Sequence, residues 1–313
     1  MNSMNIGDFS EQTLELKEDY EGEVIATLVR SPENDTARPS VLYIHGLSDY
    51  FFQVHVAEAF HAQGYNFYAL DLRKHGRSLL PHQTPNYCRS VEEYFPEIDR
   101  ALQIIDSENK GGIILFGHST GGLTSSLYLN EGSNRKLVTK LILNSPFLQF
   151  NLSFFQRAFL LPAAGIISWF LPYASLEKPF PHLYGASISS KKYGEWDYNT
   201  DWKPLNGFPA YLKWVSAMNK AQKKLHHSSD INIPILILHS DKSSRNQTWN
   251  ESILKTDMVL DVEHMKALGK KLGPDVSLAE IPNAIHDVFL SKKEVRELAF
   301  DHMFEWLEKT FDD

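Results

Sequence analysis

The sequence has a single cysteine, Cys88, among its 313 residues. One thiol excludes an internal disulfide and any cysteine-rich metal site, and it fits a reducing compartment. Positive charge is also scarce: 31 Lys and Arg stand against 39 Asp and Glu, a formal net charge of −8. A nucleic-acid-binding face needs the opposite balance, so no nucleic-acid partner is expected. The opening MNSMNIGDFSEQ has neither a basic n-region nor an apolar stretch. No secretion signal is read there, and a cytoplasmic location is expected. H-E-x-x-H, paired-cysteine and G-x-x-x-x-G-K-[ST] spacings are all missing, so neither a metal nor a nucleotide cofactor is expected. Long unbroken apolar runs are missing too. Residues 154–173, FFQRAFLLPAAGIISWFLPY, match the ~20 residues of a membrane span, but Arg157, Pro162 and Pro172 interrupt them. A buried or surface-lying helical hairpin is expected instead.

What is present is a rhythm. After two short strands, Thr13–Leu16 and Val24–Arg30, apolar strands alternate with amphipathic helices. The strands fall at Val41–Ile44, Asn66–Leu72, Gly112–Phe116 and Val138–Asn144; the helices fall at Val54–Gln63, Val91–Asp106 and Ser119–Asn130. Such alternation predicts right-handed βαβ units and a mostly parallel sheet flanked by helices. It lapses from Pro146 to about Phe208, a stretch rich in aromatics and prolines. It then resumes with a helix at Ala210–Leu225, a strand at Ile233–His239, a helix at Val262–Leu272, a strand at Val276–Ile281 and a helix at Lys293–Thr310. The expected organisation is an α/β core of residues 1–145 and 210–313, interrupted by a helical cap of residues 146–209.

The sharpest chemical signal is Gly117-His118-Ser119-Thr120-Gly121-Gly122, directly after an apolar strand and opening a helix. G-x-S-x-G in that context places a serine on a tight strand-to-helix turn, with small neighbours that permit a strained backbone. The helix N-terminus then offers N–H groups and the positive end of its dipole to a developing oxyanion. His45-Gly46-Leu47 follows the strand Val41–Ile44, where an acyl-transfer enzyme of this architecture places its second oxyanion donor. The N–H groups of Leu47 and Thr120 are therefore the candidate oxyanion hole. A base must follow the last strand in the order Ser…Asp…His, and His286 in Ile281-Pro282-Asn283-Ala284-Ile285-His286-Asp287 meets that requirement. His45 and His118 lie too close to their own turns to swing onto the Ser119 hydroxyl, and His226-His227 sit on a polar connector.

These motifs, together with Asp71-Leu72-Arg73-Lys74-His75-Gly76-Arg77-Ser78, resemble an α/β-hydrolase. Within that fold they are most similar to the monoacylglycerol lipase and lysophospholipase group of serine hydrolases, akin to the serine aminopeptidase family. The likeness covers about residues 22–145 and 210–310. The DLRKHGRS stretch resembles that group's D-x-x-G-H-G-x-S loop, with Lys74 replacing the first glycine. The resemblance implies a serine nucleophile, a histidine base, a carboxylate, two backbone oxyanion donors and a cap, with no cofactor.

Two residues compete for the carboxylate. Asp241 follows the strand Ile233–His239 almost at once and satisfies the expectation of a short connection. The group's pattern places the acid slightly later, near Ser243, and close to the next helix. Asp257 meets that description just before the helix at Val262, and it precedes His286 by 29 residues, a spacing like the group's; Asp241 precedes it by 45. Asp257 is the favoured acid, with Lys242–Lys255 read as a loop insertion; Asp241 remains the alternative, and Asp261 reads as a helix cap. The implied partner is a small acyl ester, monoacylglycerol- or lysophospholipid-like. The cap helix over Phe154–Leu171 would line an acyl pocket and touch a lipid or micelle surface transiently. An aminopeptidase would need carboxylates in the cap to hold an ammonium, for which Glu177 and Glu195 are available. A non-catalytic binding role on the same fold is the third reading.

Overall fold

Ten strands and eight α-helices make up the computed structural model, which describes residues 4–34, 38–176, 182–246 and 248–310. In chain order they are β1 (Ser10–Asp19), β2 (Gly22–Arg30), β3 (Ser40–Ile44), α1 (Val54–Ala62), β4 (Asn66–Asp71), α2 (Phe95–Glu108), β5 (Ile113–His118), α3 (Thr120–Glu131) and β6 (Val138–Asn144). There follow α4 (Phe154–Phe170), β7 (Ser175–Leu176), α5 (His182–Ile188), β8 (Ala210–Tyr211), α6 (Leu212–His227), β9 (Ile235–Ser240), α7 (Val262–Gly269), β10 (Val276–Ile281) and α8 (Lys293–Lys309). Eight strands form one sheet in the order β1-β2-β4-β3-β5-β6-β9-β10, parallel from β4 to β10, while β2 runs antiparallel to both its neighbours.

Strand alternation sorts the core into two layers. Leu42 and Ile44 of β3 face α2, α3 and α6, while Val41 and Tyr43 face α1 and α8. Both faces of the central strands are covered, which explains their unbroken apolar runs. Where the fold departs from the sequence reading, the reason is local. Strand β1 is longer than Thr13–Leu16, because an edge strand takes its register from main-chain pairing with β2, from Ser10↔Arg30 to Asp19↔Gly22, and so enlists polar residues. Ala210 and Tyr211 pair with Leu176 and Ser175, delaying the next helix to Leu212.

The hairpin expected at 154–173 is instead one continuous helix, α4, running through Pro162. A proline deprives the carbonyl four residues back, here Ala158, of its N–H partner. Both residues are solvent-exposed, so water can serve that carbonyl and the helix need not break. Ser153 and Gln156 close a capping box at its start. The inner side of α4 packs on α6, and its outer side is bare: Trp169 and Phe170 are 77% and 82% exposed. No helix among the described residues is long and apolar enough to cross a membrane.

The rest of the 146–209 stretch is fastened to the strands' carboxyl ends. Trp196 Nε1 donates to the Leu290 carbonyl at 2.8 Å, Asn199 N to Tyr50 Oη at 2.8 Å and Phe208 N to Ser48 Oγ at 3.0 Å. The Lys203 ammonium lies 2.7 Å from the Asp49 carboxylate, both nearly sequestered from solvent. Burial alone would raise the Asp49 carboxyl; the Lys203 ammonium outweighs it and holds Asp49 below its ordinary value. Removing one partner of such a pair strands a buried charge. Lys203→Met is expected to cost about 3 kcal/mol in urea unfolding at neutral pH. A lowered carboxylate stabilises fully above its unfolded value of about 3.9 and loses that contribution as pH falls through the folded one. In the variant, burial without Lys203 raises the Asp49 carboxyl, so the gap already narrows as pH falls from neutrality towards the unfolded value of about 3.9, and narrows further once the wild-type carboxyl takes up its proton. A gap unchanged between about pH 7 and pH 3 counts against the pair.

Candidate active site

Neighbouring strands in this sheet deliver the site. Strand β5 ends at His118, and the chain turns into α3 through Ser119, whose φ is +52° and ψ −115°. Few non-glycine residues adopt such a conformation, and they do so where surrounding bonds impose it. Here Ser119 N donates to the Asn144 carbonyl at 3.0 Å, and the Ser119 carbonyl accepts from Gly122 N at 3.0 Å and Phe147 N at 2.9 Å. The glycines of the motif answer to crowding. A Cβ on Gly117 would sit 2.7 Å from the Gly121 carbonyl oxygen, and one on Gly121 would collide with the carbonyl oxygens of Ile44 and His45.

The Ser119 hydroxyl meets His286, which lies on the loop after β10. Ser119 Oγ and His286 Nε2 are 3.0 Å apart, and His286 Nδ1 is 2.9 Å from Asp257 Oδ2. All three residues are buried. The second oxygen of Asp257 accepts from the N–H groups of Val259 at 2.7 Å and Leu260 at 2.8 Å, which aims Oδ2 at the imidazole. Asp257 also pairs with Ser243 in an isolated bridge, its N–H donating to the Lys242 carbonyl at 3.0 Å. The excursion through residues 244–256 thus returns the carboxylate beside Ser243. Asp241 is held elsewhere: its Oδ1 accepts from Asn283 N at 2.8 Å, tying the loops after β9 and β10 together. Asp261 caps α7 through Glu263 N at 3.0 Å.

Leu47 and Thr120 line the same cavity as Ser119, and no acceptor among the described residues takes either N–H. His45 shapes that turn. Its Nδ1 lies 2.7 Å from the Gly46 carbonyl and its Nε2 accepts from Leu72 N at 3.0 Å, a neutral tautomer. A hydroxyl bound to an imidazole, itself bound to a carboxylate, can yield its proton as it attacks a carbonyl, with two free N–H groups nearby to receive the oxyanion. The cavity measures about 700 Å³ between α4, α6 and the strand ends, a size typical of ligand sites. Leu161, Ala164, Ile167, Trp214 and Met258 are among its walls together with Arg245, and no carboxylate among the described residues lines it. No group of three or more potential metal ligands occurs among the described residues.

A family model described as serine aminopeptidase, S33, matches residues 35–293. The chain belongs to that family. Its fold is similar to that of a soluble variant of monoglyceride lipase from Saccharomyces cerevisiae in complex with a substrate analog (TM-score 0.71, 18% identity, 95% of each chain covered). It is also similar to Paleococcus ferrophilus monoacylglycerol lipase (TM-score 0.64, 22% identity, 90% of this chain and 98% of that one). A thermostable carboxyl esterase from Bacillus coagulans in complex with glycerol matches at TM-score 0.65 and 12% identity, over 96% of this chain and 98% of that one. At these identities the likeness establishes the α/β-hydrolase fold.

Two features of this S33 member were not legible in its sequence. Asn144, which ends β6, donates through Nδ2 to Asp287 Oδ1 at 2.7 Å and accepts from Val288 N at 3.2 Å. Because the Asn144 carbonyl also takes Ser119 N, one residue braces the serine turn against the histidine loop. The only sequence signal was a polar residue closing an apolar strand. Tyr184 stands edge-on to His286, ring centroids 5.6 Å apart. His118 stays clear of the serine; burial pushes its imidazole below the ordinary range. Of the two carboxylates weighed for an ammonium, Glu195 faces Arg296 at the surface, 3.3 Å away, and Glu177 lies outside the described residues. The crowding at Gly121 involves backbone atoms that cannot swing aside. Gly121→Ala is therefore expected to lower stability by about 3 kcal/mol in urea unfolding; a wild-type midpoint would mean that α3 can shift.

Proposed function

We propose that the protein hydrolyses carboxylic esters of apolar acyl chains, monoacylglycerol- or lysophospholipid-like, through an acyl-enzyme on Ser119. His286 Nε2 takes the hydroxyl proton as Ser119 Oγ attacks the ester carbonyl. The oxyanion settles between the N–H groups of Leu47 and Thr120, and Asp257 holds the imidazolium through Nδ1–H. Collapse expels the alcohol, which leaves with the proton from His286, and a water molecule repeats the sequence to free the acid. In this reading residues 146–209 act as a cap on a core of residues 1–145 and 210–313. The buried single thiol is in keeping with a cytoplasmic setting.

The observation that carries the ester reading is the cavity: large, open to Ser119 and walled mostly by apolar side chains, with Asn151, Arg245 and Asn246 among its polar members and no carboxylate among the described residues. An acyl chain gains by entering it, roughly 0.8 kcal/mol per buried CH₂, whereas an ammonium would lose its hydration and meet the Arg245 guanidinium with no carboxylate among the described wall residues to offset the cost. The second reading, an aminopeptidase on the same triad, is favoured by the family's description. The outer face of α4 supports a reversible contact with a lipid or micelle surface, since Phe155, Phe159, Trp169 and Phe170 are each at least 70% exposed.

Ser119→Ala should abolish both turnover and covalent labelling by a fluorophosphonate; labelling that persists would place the nucleophile elsewhere. Asp257→Asn should lower kcat by about 10⁴, with Asp241→Asn near wild type; the reverse order would return the acid to the short loop. Across a panel of p-nitrophenyl esters and aminoacyl anilides, kcat/KM should rise from butyrate to medium chains and stay low for the anilides. Equal efficiency for both esters, with no tryptophan fluorescence response to micelles, would remove the cap from the account.

A further inference from the structure

The carboxylate that meets His286 sits at the end of a long excursion, and the far end of that excursion touches the 146–209 stretch. Beyond Ser243 the chain runs out through residues 244–256 before Asp257 returns to pair with Ser243. Along the way Trp249 stacks face to face on Tyr193, ring centroids 3.7 Å apart and planes 17° from parallel. Trp249 also packs on a small apolar cluster of Leu183 from α5, Ile253 from the excursion and Met258, the residue next to Asp257. The cluster therefore joins three things that the sequence separates: the tip of the excursion, the stretch between β6 and α6, and the residue adjoining the acid.

The bonds at Asp257 itself fix which way its carboxylate points, through Val259 N and Leu260 N. Main-chain bonds to the loop after β9 hold the start of the 257–260 turn, with Asp257 N donating to the Lys242 carbonyl and the Asp257 carbonyl accepting from Ser244 N, but the excursion between them has no strand or α-helix among its described residues. Its short 3₁₀ turn at Glu251–Lys255 buries a single side chain, Ile253. An aromatic stack of this geometry adds cohesion beyond its buried area, and here it is spent on anchoring the tip.

We propose that Trp249 is a positioning residue: stacked on Tyr193, it docks the acid-bearing excursion and so holds Asp257 at hydrogen-bond distance from His286. It lies outside the cavity wall and acts only through Asp257. The inference rests on the ester-hydrolase reading, in which Asp257 orients the base.

The test is a double-mutant cycle on the full chain, with a medium-chain p-nitrophenyl ester as substrate. Trp249→Ala is expected to lower kcat about tenfold while KM changes less than about twofold. Tyr193→Ala should reproduce the loss from the other partner, and Trp249→Phe, which keeps a stacking ring, should restore most of it. In the Asp257→Asn background Trp249→Ala should cost nothing further, since residues acting through one group are not additive. Equal losses in both backgrounds, or wild-type kcat in Trp249→Ala, would overturn the proposal while leaving the triad intact. Wild-type kcat in Asp257→Asn alone would instead overturn the ester-hydrolase reading of the acid, and this inference with it.

Discussion

Strand β5 must hand over to α3 within one residue, and the rest of the site depends on how tightly that turn is made. The start of α3 is pressed so closely onto the last carbonyls of β3 that no side chain fits at Gly121. That contact brings the turn after β3, with the Leu47 N–H, alongside the Ser119 hydroxyl. On the opposite side β6 supplies the Asn144 carbonyl that holds Ser119 N. The strained φ of Ser119 is sustained by groups on both adjacent strands, so the serine's direction belongs to the sheet more than to its own loop. Strands β9 and β10 extend the same edge and bring their following loops, with Asp257 and His286, to the carboxyl ends of the parallel strands, where open α/β sheets place their ligands.

Legibility in the sequence followed how local each constraint is. The serine turn was readable because an apolar strand, small residues and an ensuing helix are contiguous around Ser119. His286 was readable from its order after the last strand. Asp257 was harder, because its place beside Ser243 is made by chain return and not by proximity in sequence; spacing to His286 favoured it, but Asp241 had the shorter connection. Asn144 and Asp287 were beyond reach, since a brace between two loops leaves no periodic trace. Pro162 misled the reading of α4, because a proline's cost in a helix depends on whether its orphaned carbonyl meets water, and exposure is a property of the fold.

The two sides of α4 embody opposite solutions to one composition. Leu161 and Ala164 turn inward to a space that can receive a chain, while Phe155, Phe159 and Phe170 turn to solvent. A helix apolar all round is ordinarily buried on every side. One that is not keeps unspent contact area, and the net negative charge of the whole chain says little about what that area meets.

At Lys74 the chain departs from the glycine of the loop it resembles, and yet keeps the left-handed backbone, with φ of +62°. Its ammonium is wholly buried, 2.8 Å from Asp19 and 2.6 Å from Glu21, at the turn between β1 and β2. Edge hairpins ordinarily fray on their own, opening far more often than the centre of a sheet. Here fraying would strand a buried cation, so the hairpin is bound into the same cooperative unit as the loop after β4. The turn at the margin of the sheet is thereby tied to the loop after β4, and its amide protons are expected to exchange more slowly than those of an unanchored edge hairpin.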